Sequence, residues 1–475
     1  MFKTCGLVLL SFLFATANTH AQLTHGQGEM AGEVTQTSVI LQSRLTKGTT
    51  LVNGDLPGHA GWAQFEVSRN ADLSLALVTG WQEAFDQDDY IIKAQVDLLE
   101  RDTQYYYRLV FGANTKNVTR GNIRSFRTLP KADVIKPMRL VIVTGMNYHK
   151  FHKGPNAYQG KDKDQGYPAL EAITNLKPNF FIATGDNVYY DQPQKTTAKT
   201  IKQMRQKWHQ QFAQPRFARL FESVATYWQK DDHDYRYDDA DATGSRLPSH
   251  KNGIAIFKEQ VPITDPLRKD GLTYRTYRLG KLVQIWLTEG RDYRSPNTMP
   301  DGPDKTLWGE KQKEWLKRTL SESDAPFKFL ISPTPLIGPD ENRKIDNHAN
   351  LKGFRYEGDT FFTWLYRNGF YNKNFYILCG DRHWQYHSIH PSGFEEFSSG
   401  ALVDANARMG INPGDHQSTD PNRLINQKFT NKEPTGGFLM VDVTPSDNGT
   451  TTAAIIFYDE KGTELYRVEK TAQIK

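Results

Sequence analysis

Long hydrophobic runs are absent from the chain after its first 17 residues. At the N-terminus, Lys3 precedes an apolar stretch over residues 6–17, and the segment ends at Thr19, His20 and Ala21. This pattern predicts a secretory signal peptide, residues 1–21, because the apolar stretch is too short to favour a transmembrane span. We therefore expect an exported protein, periplasmic or secreted, with no transmembrane segment.

Cysteine is almost missing as well, because the chain has only Cys5 and Cys379. Cleavage near Ala21 would leave Cys379 as the single thiol. The mature chain is then unable to form an internal disulfide, so packing and bound metal are expected to supply its stability.

No charge of one sign dominates the sequence. The chain has 59 Lys and Arg against 54 Asp and Glu, a net charge of +5 with neutral His, and no long run of like charge. This balance gives no support for a nucleic-acid partner. With 475 residues, of which 38% are hydrophobic, the chain is long enough for two domains with ordinary cores.

Residues 23–130 have the pattern of a small all-β domain. Short runs rich in β-branched and aromatic residues, among them SVILQSRL, AGWAQFEVS and TQYYYRLVFG, are separated by Gly, Asn, Asp and Pro. The last of these runs and the NIRSFRTL run after it resemble the final strands of immunoglobulin-like and fibronectin type III modules, which predicts a β-sandwich. The segment PKADVIKP, residues 130–137, is the expected linker.

From residue 138 to residue 475 the pattern changes to α/β. MRLVIVTG, NFFIATGD, LVQIWLTEG and NFYILCGD are predicted strands, and YPALEAITNL and GEKQKEWLKRTLSES are predicted helices. Strands that alternate with helices indicate βαβ units. The last segments, FLMVDVTP and TAAIIFYDEKGTELYRVEK, return to β structure and predict a hairpin.

Three acidic clusters are the most informative feature of this second region. They are GDNVYYD (185–191), DDHDYRYDD (231–239) and GDRH (380–383), and each follows an apolar or aromatic run. Such runs are typical of buried parallel strands, whose carboxyl ends meet at the crevice where α/β proteins build their sites. We therefore expect the three clusters to bring Asp and His side chains to one crevice.

The first two clusters contain residue types that suit a metal site. If the chain turns into a helix after Asp186, Tyr189 can face the same point and form a hard-oxygen pair with it. In the second cluster Asp232 is a candidate ligand, and His233 beside it is a candidate acid or base.

The GDRH cluster offers an imidazole and a carboxylate two residues apart. If this segment is extended, Asp381 and His383 lie on one side and Arg382 on the other. Each cluster alone has a simpler explanation, either a helix cap after a strand or a solvated acidic loop. Taken together, and each after a predicted strand, the clusters favour a metal site.

In this order and after these strands, the clusters resemble the motifs of the alkaline phosphatase D-like metallophosphatases, a branch of the calcineurin-like metallophosphoesterases. The family patterns are GD-x-x-Y, DDH[DE] and GD-x-H. Two more segments are similar to family patterns: TEGRDYR (288–294) to a D-x-R-x-Y-R strand end, and WGEKQKEWL (308–316) to a G-x-x-Q-x-x-W-L helix. The resemblance covers nearly the whole mature chain. It implies a metallophosphoesterase-type β-sandwich core flanked by helices and preceded by the small all-β domain.

The resemblance also implies roles for residues of the clusters. Asp186 would bridge two metal ions, and Tyr189 would be a phenolate ligand. Asp232 would correspond to the Asn ligand of the related GNH[DE] motif, and His233 to its catalytic His. The remaining implied positions are the metal ligands Asp381 and His383 and the donors to substrate phosphate, Arg382 and Arg291.

The chain departs from the family at one position. Relatives commonly have Ser-Cys after the first strand of the catalytic domain, with the thiolate bound to iron, whereas this chain has Thr144 and Gly145. Asn147, His149 or a water molecule would take that ligand position. The implied cofactors are two or more divalent or trivalent ions, with Ca, Mn, Fe and Zn all open, and the loss of a thiolate favours harder ions.

The implied function is exported, metal-dependent hydrolysis of a phosphate mono- or diester by a metal-activated hydroxide at a two-metal site. The expected partner is thus a phosphate-ester substrate. Two alternatives stand beside this function. One is hydrolysis of another ester, such as a sulfate, on the same scaffold, and the other is a degenerate module that binds metal or glycan.

Overall fold

The computed structural model describes residues 22–264 and 271–474. The predicted signal peptide, residues 1–21, lies outside the described residues. In the part of the chain that the structure describes, no helix has the length and apolar character to cross a membrane.

Over residues 22–130 the chain forms strands and one short 3-10 helix at Asp86–Asp88. In the strand Gly61–Ser68, buried and half-buried residues alternate, as expected of a strand with one face on a core. The strands are β1 (Leu23–Thr24), β2 (Glu29–Gly32), β3 (Val39–Arg44), β4 (Thr46–Lys47), β5 (Gly61–Ser68), β6 (Leu77–Val78), β7 (Gln82–Ala84), β8 (Ile91–Val96), β9 (Gln104–Gly112), β10 (Thr119–Arg120) and β11 (Arg124–Arg127).

The rest of the chain alternates strands and helices, as the sequence predicts. Its central strands are continuous buried runs because both of their faces are covered. They are β12 (Met138–Val143), β13 (Phe180–Thr184), β14 (Ala225–Gln229), β15 (Arg275–Leu279), β16 (Val283–Leu287), β17 (Phe327–Ser332), β18 (Phe375–Cys379), β19 (Gln385–Ile389), β20 (Glu395–Ser399), β21 (Asn426–Thr430), β22 (Gly437–Pro445), β23 (Thr450–Asp459) and β24 (Glu464–Gln473).

The helices lie between these strands. The α-helices are α1 (Tyr148–Lys153), α2 (Pro168–Leu176), α3 (Ile201–Phe212), α4 (Pro215–Leu220), α5 (His250–Gln260), α6 (Glu310–Glu322) and α7 (Arg355–Arg367). Short 3-10 helices lie at Lys163–Gln165, Gln194–Thr196, Phe370–Asn372 and Asp404–Asn406. A capping box of Thr200 and Gln203 starts α3, and Pro215 starts a separate helix after it because proline fits the first turn but not a helix interior.

Two large mixed sheets form the centre of the molecule. One has nine strands in the order β24-β23-β22-β12-β13-β14-β2-β3-β8, and the other has seven in the order β15-β16-β17-β18-β20-β19-β21. A single hydrophobic cluster contains side chains from both sheets, such as Ile182, Ile285 and Leu378, so the sheets pack face to face. Helices α2 to α5 cover the outer face of the first sheet, and α6 and α7 cover that of the second. The described residues thus form helix, sheet, sheet and helix layers.

The N-terminal strands divide among three sheets, of which the smallest is the pair β1 and β4. Strands β2, β3 and β8 extend the nine-stranded sheet, because β2 pairs in parallel with β14 at Gly32 and Thr226. Strands β5, β6, β7, β9, β10 and β11 form a separate sheet. The sequence does not predict this continuity. Without β2, strand β14 would expose an edge of unpaired backbone groups. The domain boundaries at residues 130 and 138 stay a prediction.

A buried ion pair connects the two large sheets near this junction. Arg275, in β15, donates to the two carboxylate oxygens of Glu33, just after β2, at 2.7 and 2.6 Å. Tyr277 donates to the same carboxylate. Arg275 also donates to the carbonyl of Trp228, in β14, at 2.7 Å. One guanidinium therefore holds β15 of the second sheet against β2 and β14 of the first.

We expect Glu33→Gln to destabilise the protein by about 3–5 kcal/mol, because the Arg275 guanidinium would stay buried without its counter-charge. Denaturant unfolding followed by tryptophan fluorescence would measure the change. Glu100→Gln is the matched control, since its ion pair with Arg69 is exposed, and we expect it to cost less than about 1 kcal/mol. Equal losses in the two variants would contradict the role given to the buried pair.

Candidate metal centre

The three acidic clusters meet at the carboxyl ends of strands from both large sheets. Asp186 follows β13 and Asp232 follows β14, its parallel neighbour, whereas Asp381 follows β18 of the other sheet. Atoms of Asp186, Asp232 and His233 that can ligate a metal lie within 4.8 Å of one another. The same is true of Asp231, Asp232 and Asp381. The expected crevice therefore exists, and Asp232 belongs to both of its groups.

Two glycines let the strand ends approach this closely. A Cβ atom on Gly185 would lie 2.4 Å from Asp231, and one on Gly380 would lie 2.4 Å from Thr184. The aspartate after each glycine has a left-handed backbone, with φ of +53° and +59°. Such a backbone is uncommon outside Gly, Asn and Asp and is concentrated at functional sites. The structure describes both segments completely, and both differ from the local geometry expected from the sequence. No helix begins directly after Asp186, and the GDRH segment is not extended.

Tyr189 nevertheless reaches Asp186. The Tyr189 hydroxyl donates to Asp186 Oδ2 at 2.8 Å and lies 3.1 Å from His383 Nε2, which is itself 3.0 Å from the same carboxylate oxygen. Burial and the adjacent Asp186 raise the pKa of Tyr189 well above its usual value. Burial and the charges of Arg408 and His233 lower the pKa of His383 well below its usual value. A neutral imidazole is the form that binds a metal ion.

Asn406 holds the phenol from another side. Its Nδ2 donates to Tyr189 Oη at 2.8 Å and to the carbonyl of Gly145 at 3.0 Å. Because that carbonyl can only accept, it fixes the orientation of the amide. Asn406 Oδ1 is buried without a hydrogen-bond partner among the described residues. The sequence gives no signal for this residue, which lies 217 positions after Tyr189.

The structure explains why glycine occupies position 145, after β12, where relatives commonly have a cysteine. Gly145 has a φ of +68°, and a Cβ atom there would lie 2.9 Å from Ala401, so this position leaves no space for a side chain. Asn147 accepts a hydrogen bond from the Lys150 N–H at 2.9 Å and so caps α1. Asn147 would bind a metal ion through the same Oδ1 atom, and this hydrogen bond already uses one lone pair of that oxygen. His149 is half-buried on α1. A metal contact of Asn147 stays a prediction.

Asp191 orients the predicted catalytic histidine. Asp191 Oδ1 lies 2.8 Å from His233 Nδ1, an arrangement that fixes the ring and directs Nε2 away from this carboxylate. Burial alone would lower the pKa of His233, but the charges of Asp232 and Asp191 outweigh it and raise this pKa well above its usual value. This direction favours the protonated imidazole, the form that a general acid needs. The sequence interpretation gave Asp191 no role, although it ends the first cluster.

The carboxylates of the centre carry more negative charge than their surroundings favour. Burial and then neighbouring carboxylates raise the pKa values of Asp186, Asp231 and Asp381. Asp186 Oδ1 and Asp231 Oδ2 are buried and have no hydrogen-bond partner in the described chain. A bound cation would stabilise the ionised form of each group and bind these oxygens. The donor set therefore fits metal ions that prefer oxygen and imidazole ligands.

A further acidic group adjoins the first two. Ligand-type atoms of Asp232, Asp239 and Asp346 lie within 4.8 Å of one another. Lys344 Nζ donates to Asp239 and offsets part of this charge. The sequence gives no reason to choose Asp346 from its loop, because only the folded chain brings that loop to the second cluster.

Arg291 and Arg382, the predicted donors to substrate, are fully buried. Arg291 pairs with Asp231 at 2.7 Å and with Asp346 at 2.9 Å. Arg382 pairs with Asp340 and with the aspartate that precedes it in GDRH. Both guanidinium groups thus hold carboxylates of the centre in position. A contact of either arginine with substrate stays a prediction.

The chain matches two family models. The model described as PhoD-like phosphatase covers residues 140–447, and the model described as PhoD-like phosphatase, N-terminal domain covers residues 12–130. The first match alone spans more than half of the chain. The chain therefore belongs to the PhoD-like phosphatase family, which confirms the resemblance seen in its motifs.

Individual relatives are distant. Alkaline phosphatase D of Bacillus subtilis (strain 168) is 22% identical over 330 residues, which are 64% of this chain and 54% of that protein. The chain thus spans about half the length of the curated relative it matches. The solved structure of PhoD has a TM-score of 0.71 at 18% identity and covers 95% of this chain and 90% of its own. A purple acid phosphatase from yellow lupin (Lupinus luteus) seeds has a TM-score of 0.62 at 12% identity, with 94% and 73% covered. These two likenesses show a shared fold of mixed sheets.

We expect Asn406→Ala to lower the affinity of the centre for Mn²⁺ by about 10- to 100-fold, because loss of a residue that orients a ligand typically has this effect. Competition with a chelator would measure the affinity. Asn448→Ala, in the exposed turn before β23, is the control and should bind as wild type does. Unchanged Mn²⁺ affinity in Asn406→Ala, together with a clear loss in Asp186→Asn, would show that the amide does not support the phenol.

Proposed function

We propose that this protein is a metal-dependent phosphohydrolase that cleaves phosphate mono- or diesters at the centre formed by the three acidic clusters. Membership of the PhoD-like phosphatase family supports the reaction class. The observation that carries the proposal is the meeting of buried Asp and His side chains from strand ends of both large sheets. Carboxylate oxygens without partners in the described chain support a cation there.

The metal ligands belong to the proposal. They are Asp186, Tyr189, Asp232, Asp381 and His383, with Asn147 as a further candidate. Asp232 is common to the three groups of possible ligand atoms, so two or more ions would share it, whereas His233, a member of one group, is assigned to proton transfer. When bound, such ions polarise phosphoryl oxygens and lower the pKa of a bound water. The oxygen-rich donor set favours hard ions such as Ca²⁺, Mn²⁺ or Fe³⁺.

His233 is the proposed general acid. Its Nδ1 faces Asp191 at 2.8 Å, so its Nε2 is the nitrogen that can give a proton to the leaving oxygen of the ester. Burial lowers the pKa of His233, but the charges of Asp232 and Asp191 outweigh it and raise this pKa, which supports the protonated ring that the role needs. Asp191 then keeps the neutral ring in its orientation.

The buried arginines give the centre its rigidity. Arg291 holds Asp231 and Asp346, and Arg382 holds Asp340. A carboxylate fixed by a guanidinium through charge-assisted hydrogen bonds presents its remaining oxygen in one direction. We therefore propose that these arginines hold the carboxylates in position. A direct contact of either arginine with substrate stays a prediction.

Export is part of the proposal. It is supported by the sequence pattern of residues 1–21, a basic residue followed by an apolar stretch and a small-residue end. The substrate would then be a phosphate ester found outside the cytoplasm.

We expect Asp381→Ala to abolish hydrolysis of para-nitrophenyl phosphate and of its bis-ester, because the variant lacks a proposed metal ligand. We expect His233→Asn to lower kcat by about 10²- to 10⁴-fold without loss of bound metal, as removal of a general acid does. Nitrophenol release by protein stripped of metal and reloaded with Ca²⁺, Mn²⁺, Zn²⁺ or iron would measure both effects. His416→Asn, at an exposed site, is the control. Failure of the wild type to release nitrophenol from either ester with any ion would overturn the proposed function.

A further inference from the structure

Two cations beside the centre, Lys150 and Arg408, have no part in the chemistry described above. We propose that they form the anion-binding part of the site and hold the non-bridging oxygens of the substrate phosphate. This inference rests on the proposed function and deepens it, because it assigns the contact with substrate to residues other than Arg291 and Arg382.

The need for other cations follows from the pairing of the buried arginines. Arg291 is fully enclosed, and it donates to Asp231, Asp346 and the carbonyl of Ala240. Arg382 is equally enclosed and held by carboxylates. Either guanidinium could turn to a ligand only by leaving a buried carboxylate without its counter-charge, which is strongly unfavourable.

Arg408 lies directly beside a proposed ligand. Its backbone N–H donates to the carbonyl of His383 at 3.0 Å, and its guanidinium carbon lies 5.1 Å from the centre of the Trp384 ring. The side chain is 33% exposed and contacts Glu341 only at 3.4 Å. Its Nε is buried without a hydrogen-bond partner in the described chain. Arg408 is thus partly open to solvent and only loosely paired, so its guanidinium can turn to an anion without leaving a buried carboxylate uncompensated.

Lys150 approaches the centre from α1. The Met146 N–H, just before α1, donates to the carbonyl of Asp186 at 2.9 Å, so the start of this helix is attached to the first cluster. Helix α1 also packs against the 3-10 helix Asp404–Asn406, two residues before Arg408. Lys150 lies half-buried on α1, and burial and the charge of Arg408 lower its pKa, whereas the charge of Asp186 raises it.

The pair suits an anionic ester with several non-bridging oxygens, such as a phosphate ester. Arg offers a planar fork that can bind two oxygens at once, and Lys offers a compact charge on a flexible stem. The carboxylates of the centre would repel an anionic substrate, so cations at its edge offset that repulsion. Both cations would contact the bound ester before as well as during cleavage, so their loss weakens substrate binding more than turnover.

Lys150→Met and Arg408→Gln test the inference in the full-length, metal-loaded protein. Each should raise the inhibition constant of inorganic phosphate and the KM for para-nitrophenyl phosphate by about tenfold or more, as expected for lost hydrogen bonds to a charged group, with a smaller change in kcat. Metal content should match wild type. Lys153→Met, at the exposed end of the same helix, is the matched control and should leave phosphate affinity unchanged.

A purely structural role for Arg408 predicts a different result. If Arg408 serves only to pair with Glu341, then Glu341→Gln would reproduce the loss seen in Arg408→Gln, whereas the inference expects Glu341→Gln to keep wild-type phosphate affinity. Arg408→Lys should fall between wild type and Arg408→Gln because it keeps the charge and loses the fork. Wild-type phosphate affinity in both Lys150→Met and Arg408→Gln would overturn the inference.

Calorimetric titration with inorganic phosphate separates this inference from the proposed function. If the wild type binds phosphate through Lys150 and Arg408 but cleaves no ester, the proposed function fails and the anion site stands. If the wild type cleaves esters while neither variant weakens phosphate binding, the anion site fails and the proposed function stands.

Discussion

The buried negative charge of the centre has to be compensated for the protein to fold. Several aspartates lie in one crevice, where an ionised group without a partner costs several kcal/mol. Buried Arg291 pairs with Asp231, and buried Arg382 pairs with Asp340. His233 pairs with Asp191. The carboxylate oxygens still without partners among the described residues point to cations. The proposed centre thus combines internal cations, which the chain supplies, with metal ions, which it would take up from solution.

Backbone geometry makes this concentration of charge possible. Parallel strands β13 and β14 end side by side, and β18 ends opposite them in the second sheet. At Gly185 and Gly380 the absence of a side chain lets one strand end touch the next, and the aspartate after each adopts a left-handed turn. Helices and their apolar side chains cover the outer face of each sheet. The site lies instead at the strand ends, where the backbones of the two sheets touch each other.

The sequence predicts the parts of this site that follow from local pattern. Apolar runs identify β13, β14 and β18, and the acidic clusters after them identify Asp186, Asp232 and Asp381 as neighbours, because buried strands and their ends leave a local signal. Other features depend on which distant segments meet. Asn406, at the end of a short 3-10 helix, and Asp346, in a loop, have no local sequence pattern. An arginine in a motif, such as Arg382, gives no sign of whether it faces an internal carboxylate or an open site. The pairing of β2 with β14 is also unpredictable from local sequence, since a single parallel bridge produces no pattern in the sequence of either strand.

The origin of the acidic residues in two separate sheets has a thermodynamic consequence. Asp232 comes from the first sheet and Asp381 from the second, and both belong to one group of possible ligands. A cation held by both would act as a removable crosslink across the hydrophobic seam, and its binding free energy would add to the free energy that docks the sheets. The cohesion of the two halves of the sandwich then rises and falls with the supply of free ion in the surrounding medium. The ion concentration of the medium, as well as the sequence, would then determine the free energy with which the two sheets pack together.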